Sequence, residues 1–353
     1  MFPIVVASDI EYTLGRRDFG FEVVARILGE QGRKLYEVLS AFDDVMGLFP
    51  EAVEDNELRE LAKNYVPGTT PILILPFLAA FCDFNGQIVE DLAEITDLRM
   101  NKGVTELIAG LKRQGAHVVL ISSACGAFAR RNASDLNLPY YYASAGSSYG
   151  GLSAKTKKNL KNLAMEIADS PVIEFKGSEL VRDQKNDARI REGERSLKKL
   201  GAHISLSSLT RTAIGGSRKT WALKHAVEYA TGAFGSPLEP EWLNSVVYLG
   251  DSITDESVLA AVSQGGGLAV SVNGNAFALK HADVAVISRN LGCISGLIEQ
   301  YTRLGKEKLF EEIDADETTY AEQGIFLNNH SAALSILSGR MRADLKGEKA
   351  VIN

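Results

Sequence analysis

The chain has 353 residues, enough for two or three structural units, and 45% of them are hydrophobic, as in ordinary globular proteins that bury a core without staples. A formal net charge of −7 gives no global attraction to nucleic acid or to an anionic membrane. Three cysteines, Cys82, Cys125 and Cys293, are too scattered for a disulfide framework or a thiolate metal site and fit a reducing cytoplasm.

The first element is an apolar run over residues 4–8, which reads as a short buried strand. Asp9 and Glu11 follow it and interrupt the apolar stretch too early for a signal peptide. Spaced two apart at a strand end, they can face one point in space. In an open α/β sheet that point is where ligands bind. Residues 14–18 read as a turn. From Phe21 onward Val24, Ile27 and Leu28, then Leu35, Val38 and Leu39, recur at helical spacing, with Gly29 and Gly32 placed to break the run in two. A short charged helix is expected over 54–61. Pro67-Gly68-Thr69-Thr70 punctuates the chain before the longest apolar run, 71–82. That run is too short to span a bilayer, contains Pro76 and reads as a buried, bent helix. Another helical pattern covers 86–98.

The spacing predicts a helix over 103–114, a strand over 117–121 ending at Ser122-Ser123, a helix over 127–136 and a strand over 140–143. Residues 155–199 are rich in both signs of charge. Lys155, Lys157, Lys158 and Lys161 read as a solvated helical face, with an anion-attracting lid as the alternative. No aromatics interleave with them, so nucleic acid is not an expected partner. After Gly215-Gly216 a helix over 219–230 opens with Lys219. A strand over 246–249 runs into Gly250-Asp251-Ser252-Ile253-Thr254-Asp255, followed by a helix over 256–262. Gly265-Gly266-Gly267 is a turn rather than a phosphate loop, because no phosphate-loop pattern follows it. Strands are expected over 268–272 and 283–288. Residues 301–353 read as a helical tail, in which Asn328-Asn329-His330 is a turn or cap rather than a ligand set. Strands alternating with helices indicate an α/β fold with a doubly wound, mostly parallel sheet.

The order of the motifs is more specific than any one of them. Asp9 and Thr13 after a strand, Ser122 after a second, Lys219 opening a helix, and Asp251 and Asp255 in G-D-S-x-x-D after another strand together resemble the haloacid dehalogenase-like hydrolase superfamily. That family's pattern is D-x-D-x-T, then Ser or Thr, then Lys, then G-D-x-x-x-D. Glu11 stands where the family usually has Asp. The stretch 9–25, Pro67-Gly68 before the apolar run and Gly215-Gly216 before Lys219 also resemble an archaeal subfamily labelled energy-converting hydrogenase A, subunit R. Its first motif reads D-C-E-G, which makes Glu11 a subfamily trait.

The resemblance implies a Rossmann-like core from residues 1–15, 100–152 and 212–300. It implies a helical cap over 16–99, a second helical insertion over 153–211 and a helical extension over 301–353. It also implies Mg2+-dependent hydrolysis of a small phosphorylated substrate through an aspartyl phosphate. Asp9 is then the nucleophile and Glu11 the acid–base group. Lys219 balances charge, and Ser122, or Ser123 beside it, donates to the phosphoryl group. Asp9, the Glu11 carbonyl and Asp251 hold the metal, with Asp255 orienting Asp251 or binding a metal water. The amides of residues 10–12 complete a phosphate cradle and Thr13 ties down the turn. Two other readings stay open. Metal-free dehalogenase chemistry is opposed by the complete G-D-S-x-x-D. A weakly catalytic or non-catalytic subunit of a larger assembly, such as a membrane hydrogenase complex, is permitted by Glu11. No membrane insertion is expected; a homodimer and a complex subunit are both compatible with the sequence.

Overall fold

The first apolar run forms β1 (Val5–Ser8), the strand on which the molecule is built. The computed structural model describes residues 3–82, 99–139, 141–145, 151–232, 240–328 and 332–346. After β1 the chain leaves the sheet for α1 (Phe19–Leu48), α2 (Asn56–Ala62), α3 (Thr70–Leu73) and α4 (Leu75–Phe81). It returns through α5 (Val104–Arg113), β2 (His117–Cys125), α6 (Gly126–Asp135) and β3 (Tyr141–Ser144). A second excursion carries α7 (Ala154–Ala168), β4 (Phe175–Lys176), β5 (Glu179–Leu180), α8 (Gln184–Gly201) and α9 (Leu206–Thr212). Then follow α10 (Ser217–Thr231), β6 (Val246–Gly250), α11 (Glu256–Gln264), β7 (Leu268–Val272), α12 (Ala276–Leu279), β8 (Val284–Val286) and α13 (Cys293–Leu304). The chain closes with α14 (Lys306–Ala315), α15 (Glu317–Glu322), β9 (Ile325–Leu327) and α16 (Ala332–Lys346).

Seven strands form one sheet in the order β3-β2-β1-β6-β7-β8-β9. All neighbours pair in parallel except β8 and β9. Successive side chains of a strand point to opposite faces, and here both faces are covered. Val6, Leu120, Val247, Leu249 and Val270 join the larger core. Val5, Ala7, Ile121, Tyr248 and Ala269 pack under Ala222 and Leu223 of α10 and Val258 and Leu259 of α11. Burial on both faces is why these strands read as unbroken apolar runs. The chain leaves β1 toward β2 on one side and returns through β6 on the other. The carboxyl end of β1 is therefore a topological switch point, where a crevice opens.

The helices of the two excursions pack as one layer. α7 lies against α1 and α4, and α8 against α1 and α7. Glu194 of α8 accepts from the amides of Glu54 and Asp55, and Lys198 bonds Asp55 at 2.7 Å. The chain ends of the first excursion are joined at its base. Gly15 bridges Met100, and Asn101 donates its amide to the Leu14 carbonyl at 2.7 Å.

Gly29 breaks α1 as expected, with φ of 62° inside the helical run. Gly32 does not break it; a Cβ there would lie 2.2 Å from the Val24 carbonyl oxygen, so glycine serves close approach. The apolar run at 71–82 is bent between α3 and α4, with Ile72, Leu73, Ile74, Leu75 and Phe77 all buried. The helix expected over 86–98 lies outside the described residues. Lys155, Lys158 and Lys161 are exposed, and none of them lines the cavity described below.

Two expectations need correction. The second excursion is not wholly helical, since β4 and β5 form a small antiparallel hairpin. The tail is not wholly helical either. β9 closes the sheet edge antiparallel to β8, with Val284 opposite Leu327. Asn328 follows it and bonds the carbonyls of Leu279 and Ala282, so it clamps α12 and the loop before β8.

Candidate active site

The site starts where β1 stops. Ser8 is the last strand residue, and the Asp9 amide still bonds the Leu249 carbonyl of β6 at 2.9 Å. Beyond it the chain turns sharply: the amides of Leu14 and Gly15 both bond the Ile10 carbonyl, and Tyr12 takes a left-handed conformation with φ of 56°. That conformation costs a non-glycine residue on the order of 1–2 kcal/mol and persists where surroundings dictate it. Here the Thr13 hydroxyl is tied to the Asp251 carboxylate at 2.9 Å.

Three chain segments deliver the partners of Asp9. β6 ends at Gly250 and the following turn carries Asp251 and Asp255. α10 carries Lys219 in its first turn. Gly215, just before it, sits so close to the loop ahead of α3 that a Cβ would meet the Pro67 carbonyl oxygen at 1.9 Å. That contact is why Gly215-Gly216 and Pro67-Gly68 stand out in the sequence. Lys219 is fully buried, with its Nζ 3.1 Å from Asp9 Oδ1, 2.7 Å from Asp255 Oδ1 and 3.1 Å from Thr254 Oγ1.

Asp255 is committed to holding this arrangement. Its Oδ1 accepts from Lys219 and from the Tyr248 hydroxyl at 2.7 Å, and its Oδ2 accepts from the amides of Asp251 and Ser252. It therefore orients Asp251 and Lys219. Asp9, Asp251 and Asp255 each bring a carboxylate oxygen within 4.8 Å of the others. Such a set of hard oxygen donors suits Mg2+. The Ile10 amide, expected in a phosphate cradle, bonds Asp9 Oδ1 at 2.8 Å and fixes that carboxylate instead.

Burial dominates the protonation of these acids. It pushes the Asp9 carboxyl well up; Lys219 pulls it back, and Asp255 and Asp251 add to the rise. Burial also raises Asp251 against the pull of Arg342. For Lys219 burial works against the cation, but Asp255 and Asp9 outweigh it and hold the ammonium above its ordinary value. Glu11 is pushed well up by burial, then by Asp18 and Asp9.

The longer side chain of Glu11 bends toward the helical layer. Its Oε1 accepts from the Phe19 amide at 2.7 Å, in the first turn of α1, and its Oε2 lies 3.4 Å from the Ser123 hydroxyl. Asp9, Glu11 and Ser123 line a cavity of about 410 Å³, whose opposite wall comes from α1, the loop before α3 and residues 172–175. Ser122 is not on that wall. It is fully buried, and its Oγ accepts from the Ala124 amide at 3.0 Å. The pairing of β2 with β3 shifts register between Ser122 and Cys125, so Ser123, the second choice from sequence, presents its hydroxyl.

One residue of the site was not foreseen. Arg342 of α16 lines the cavity and donates to Asp251 Oδ2, and to the Asp251 carbonyl at 3.1 Å. Its guanidinium also lies over the Tyr12 ring, 5.0 Å from the centroid. Cys125 is buried and its thiol is pushed up to about 11 by burial, so it packs rather than reacts.

No family model and no curated protein matches this chain. Among solved structures it is similar to gene product AF1437 from Archaeoglobus fulgidus, with a TM-score of 0.72 and 22% identity over 98% of this chain and 97% of that one. That likeness is one of fold. A phosphoserine phosphatase in apo form matches with a TM-score of 0.41 and 14% identity, over 86% of this chain and all (100%) of that one. A phosphoserine phosphohydrolase-like protein from Francisella tularensis matches with 0.39 and 12%, over 84% and 99%. No described helix is long and apolar enough to cross a membrane.

Proposed function

We propose that this chain is a Mg2+-dependent phosphatase of the haloacid dehalogenase-like superfamily, acting on a small phosphate monoester through an aspartyl phosphate at Asp9. The observation that carries the reading is the convergence of Asp9, Lys219, Asp251 and Asp255 beneath one cavity at the carboxyl ends of parallel strands. Asp9 attacks phosphorus, forming an Oδ–P bond as the bond to the leaving alcohol breaks. Glu11, biased toward its protonated form, gives its proton to the leaving oxygen. It then takes a proton from the water that attacks the phosphoaspartate, which releases inorganic phosphate and restores Asp9. Lys219 opposes the negative charge throughout, and Ser123 donates to a phosphoryl oxygen. Asp9, the Glu11 carbonyl and Asp251 would hold Mg2+, which when bound would supply further positive charge to the phosphoryl group.

Residues 16–99 and 153–211 serve as a cap that chooses the alcohol, because α1 and the loop before α3 from the first, and Val172, Ile173 and Phe175 from the second, line the cavity with Asp9. Glu11 in the first motif is the feature that favours the narrower reading, a member of the hydrogenase-associated subfamily. Hydrolysis of p-nitrophenyl phosphate with and without Mg2+ tests the reading, with turnover expected in the wild type and lost in Asp9→Asn. Equal turnover in Asp9→Asn, or no metal-dependent turnover across a panel of phosphate esters, would overturn it.

A further inference from the structure

The C-terminal helix has no part in the phosphatase steps, yet α16 carries a cation into the site. Asp255 is saturated by Lys219, Tyr248 and two amides. Asp9 Oδ1 accepts from Ile10 and faces Lys219, while Asp251 Oδ1 accepts from Thr13. Asp251 Oδ2 is the oxygen of Asp251 that a metal ion would take, and the Arg342 guanidinium is on it. A divalent cation and a guanidinium on the same carboxylate oxygen repel each other strongly where little water intervenes.

Elsewhere α16 is tied down by an ion pair of Asp344 with Arg289, both of them largely exposed. Ser338 donates to the Gly274 carbonyl at 2.7 Å, and Leu334 and Met341 pack on Leu279, Ala285 and Ile287. Ile336 and Leu337 are 52% and 43% exposed. Arg342, with its side chain 16% exposed, is a principal tie of this helix, an exposed ion pair such as Asp344–Arg289 adds little to it, and elements held in this way open at low cost.

We infer that Arg342 is a removable stand-in for the metal cation, so that docking of the C-terminal helix and loading of Mg2+ at Asp251 exclude one another. The inference rests on the Mg2+ reading above. Coupling of this kind is reciprocal: the metal loosens the helix, and a loosened helix tightens the metal. A site blocked nine-tenths of the time binds about tenfold more weakly than an open one.

Two measurements on the full chain test this. Calorimetric titration with Mg2+ should show about tenfold tighter binding by Arg342→Met than by wild type, with Arg342→Lys between them. In the wild type, saturating Mg2+ should speed hydrogen exchange of the 332–346 amides by about fivefold or more while leaving β1 and β6 unchanged. The second measurement needs no variant and stands if Arg342→Met misfolds. Equal or weaker Mg2+ binding by a folded Arg342→Met overturns the latch and leaves the metal reading intact. Slower or unchanged exchange over 332–346 in the Mg2+-bound wild type also overturns it. If neither protein binds Mg2+, the metal reading falls and the latch falls with it.

Discussion

Replacing Lys219 by Met tests the charge arrangement directly, because it removes one buried cation and keeps the volume of the stem. Lys219 is 0% exposed and lies 3.1 and 2.7 Å from Asp9 and Asp255. At an effective dielectric near 20, each contact is worth about 5–6 kcal/mol of gross attraction. Desolvation of the ammonium offsets much of that, and breaking one partner out of a buried pair nets about 3–5 kcal/mol. Unfolding entropy near 2.1 cal/mol/K per residue puts the melting entropy of this chain at about 0.7 kcal/mol/K, so Tm should fall by about 4–7 °C at pH 7.5. The pH dependence has a definite sign. A carboxyl whose folded pKa is raised imposes no penalty below its unfolded pKa, and the penalty grows as pH rises toward the folded value. Asp9 is raised already, and it rises further without the pull of Lys219. The gap between variant and wild type should therefore narrow from pH 7.5 to pH 5. Differential scanning calorimetry at both values is the assay. A Tm within 1 °C of wild type at pH 7.5, or a wider gap at pH 5, would refute the reasoning.

Glu11→Asp should lower kcat on p-nitrophenyl phosphate, because the shorter chain cannot keep the Phe19 amide and still reach the leaving oxygen; Glu11→Gln, which exchanges no proton, should lower it by about 10²-fold or more. A gain of tenfold or more in Glu11→Asp, abolished by adding Asp9→Asn, would mark Glu11 as a lesion. Asp43 is buried and raised to about 6, so its contribution to stability is present below pH 4 and is lost as pH rises from about 4 to 6, an effect of about 3 kcal/mol. Urea unfolding of Asp43→Asn should show a flatter pH profile over that window, since the amide oxygen can still accept from Gly68 and Thr70; an unchanged profile would exclude Asp43 as its source. Millimolar Mg2+ should raise the Tm of the wild type by mass action and leave Asp251→Asn unmoved; a scan in which both shift equally would place the ion elsewhere.

The sequence alone determined the sheet and the order of its acids. Strands buried on both faces are mostly apolar, so β1, β2, β6 and β7 announce themselves as short runs rich in Val, Leu and Ala, and Asp9, Ser122 and Asp251 stand near or just past the ends of the first three. Asp9 and Asp251 could be picked out because each follows such a boundary, and Lys219 because it opens a helix after Gly215-Gly216. The break at Gly29 was legible for a similar local reason, since only glycine enters that backbone region freely.

What tertiary structure decided has no local signature. β9 is three residues long, and only the exposed edge of β8 makes it a strand. Whether Ser122 or Ser123 faces the cavity depends on an irregular register with β3, a property of two strands together. The two excursions read as separate insertions, but α7 and α8 pack on α1 because their apolar faces match in space rather than in sequence. Arg342 is one of 38 lysines and arginines and sits in a tail with no motif. Its meaning comes entirely from α16 lying across the ends of β6 and β7, where a guanidinium meets the Asp251 carboxylate from 91 residues away.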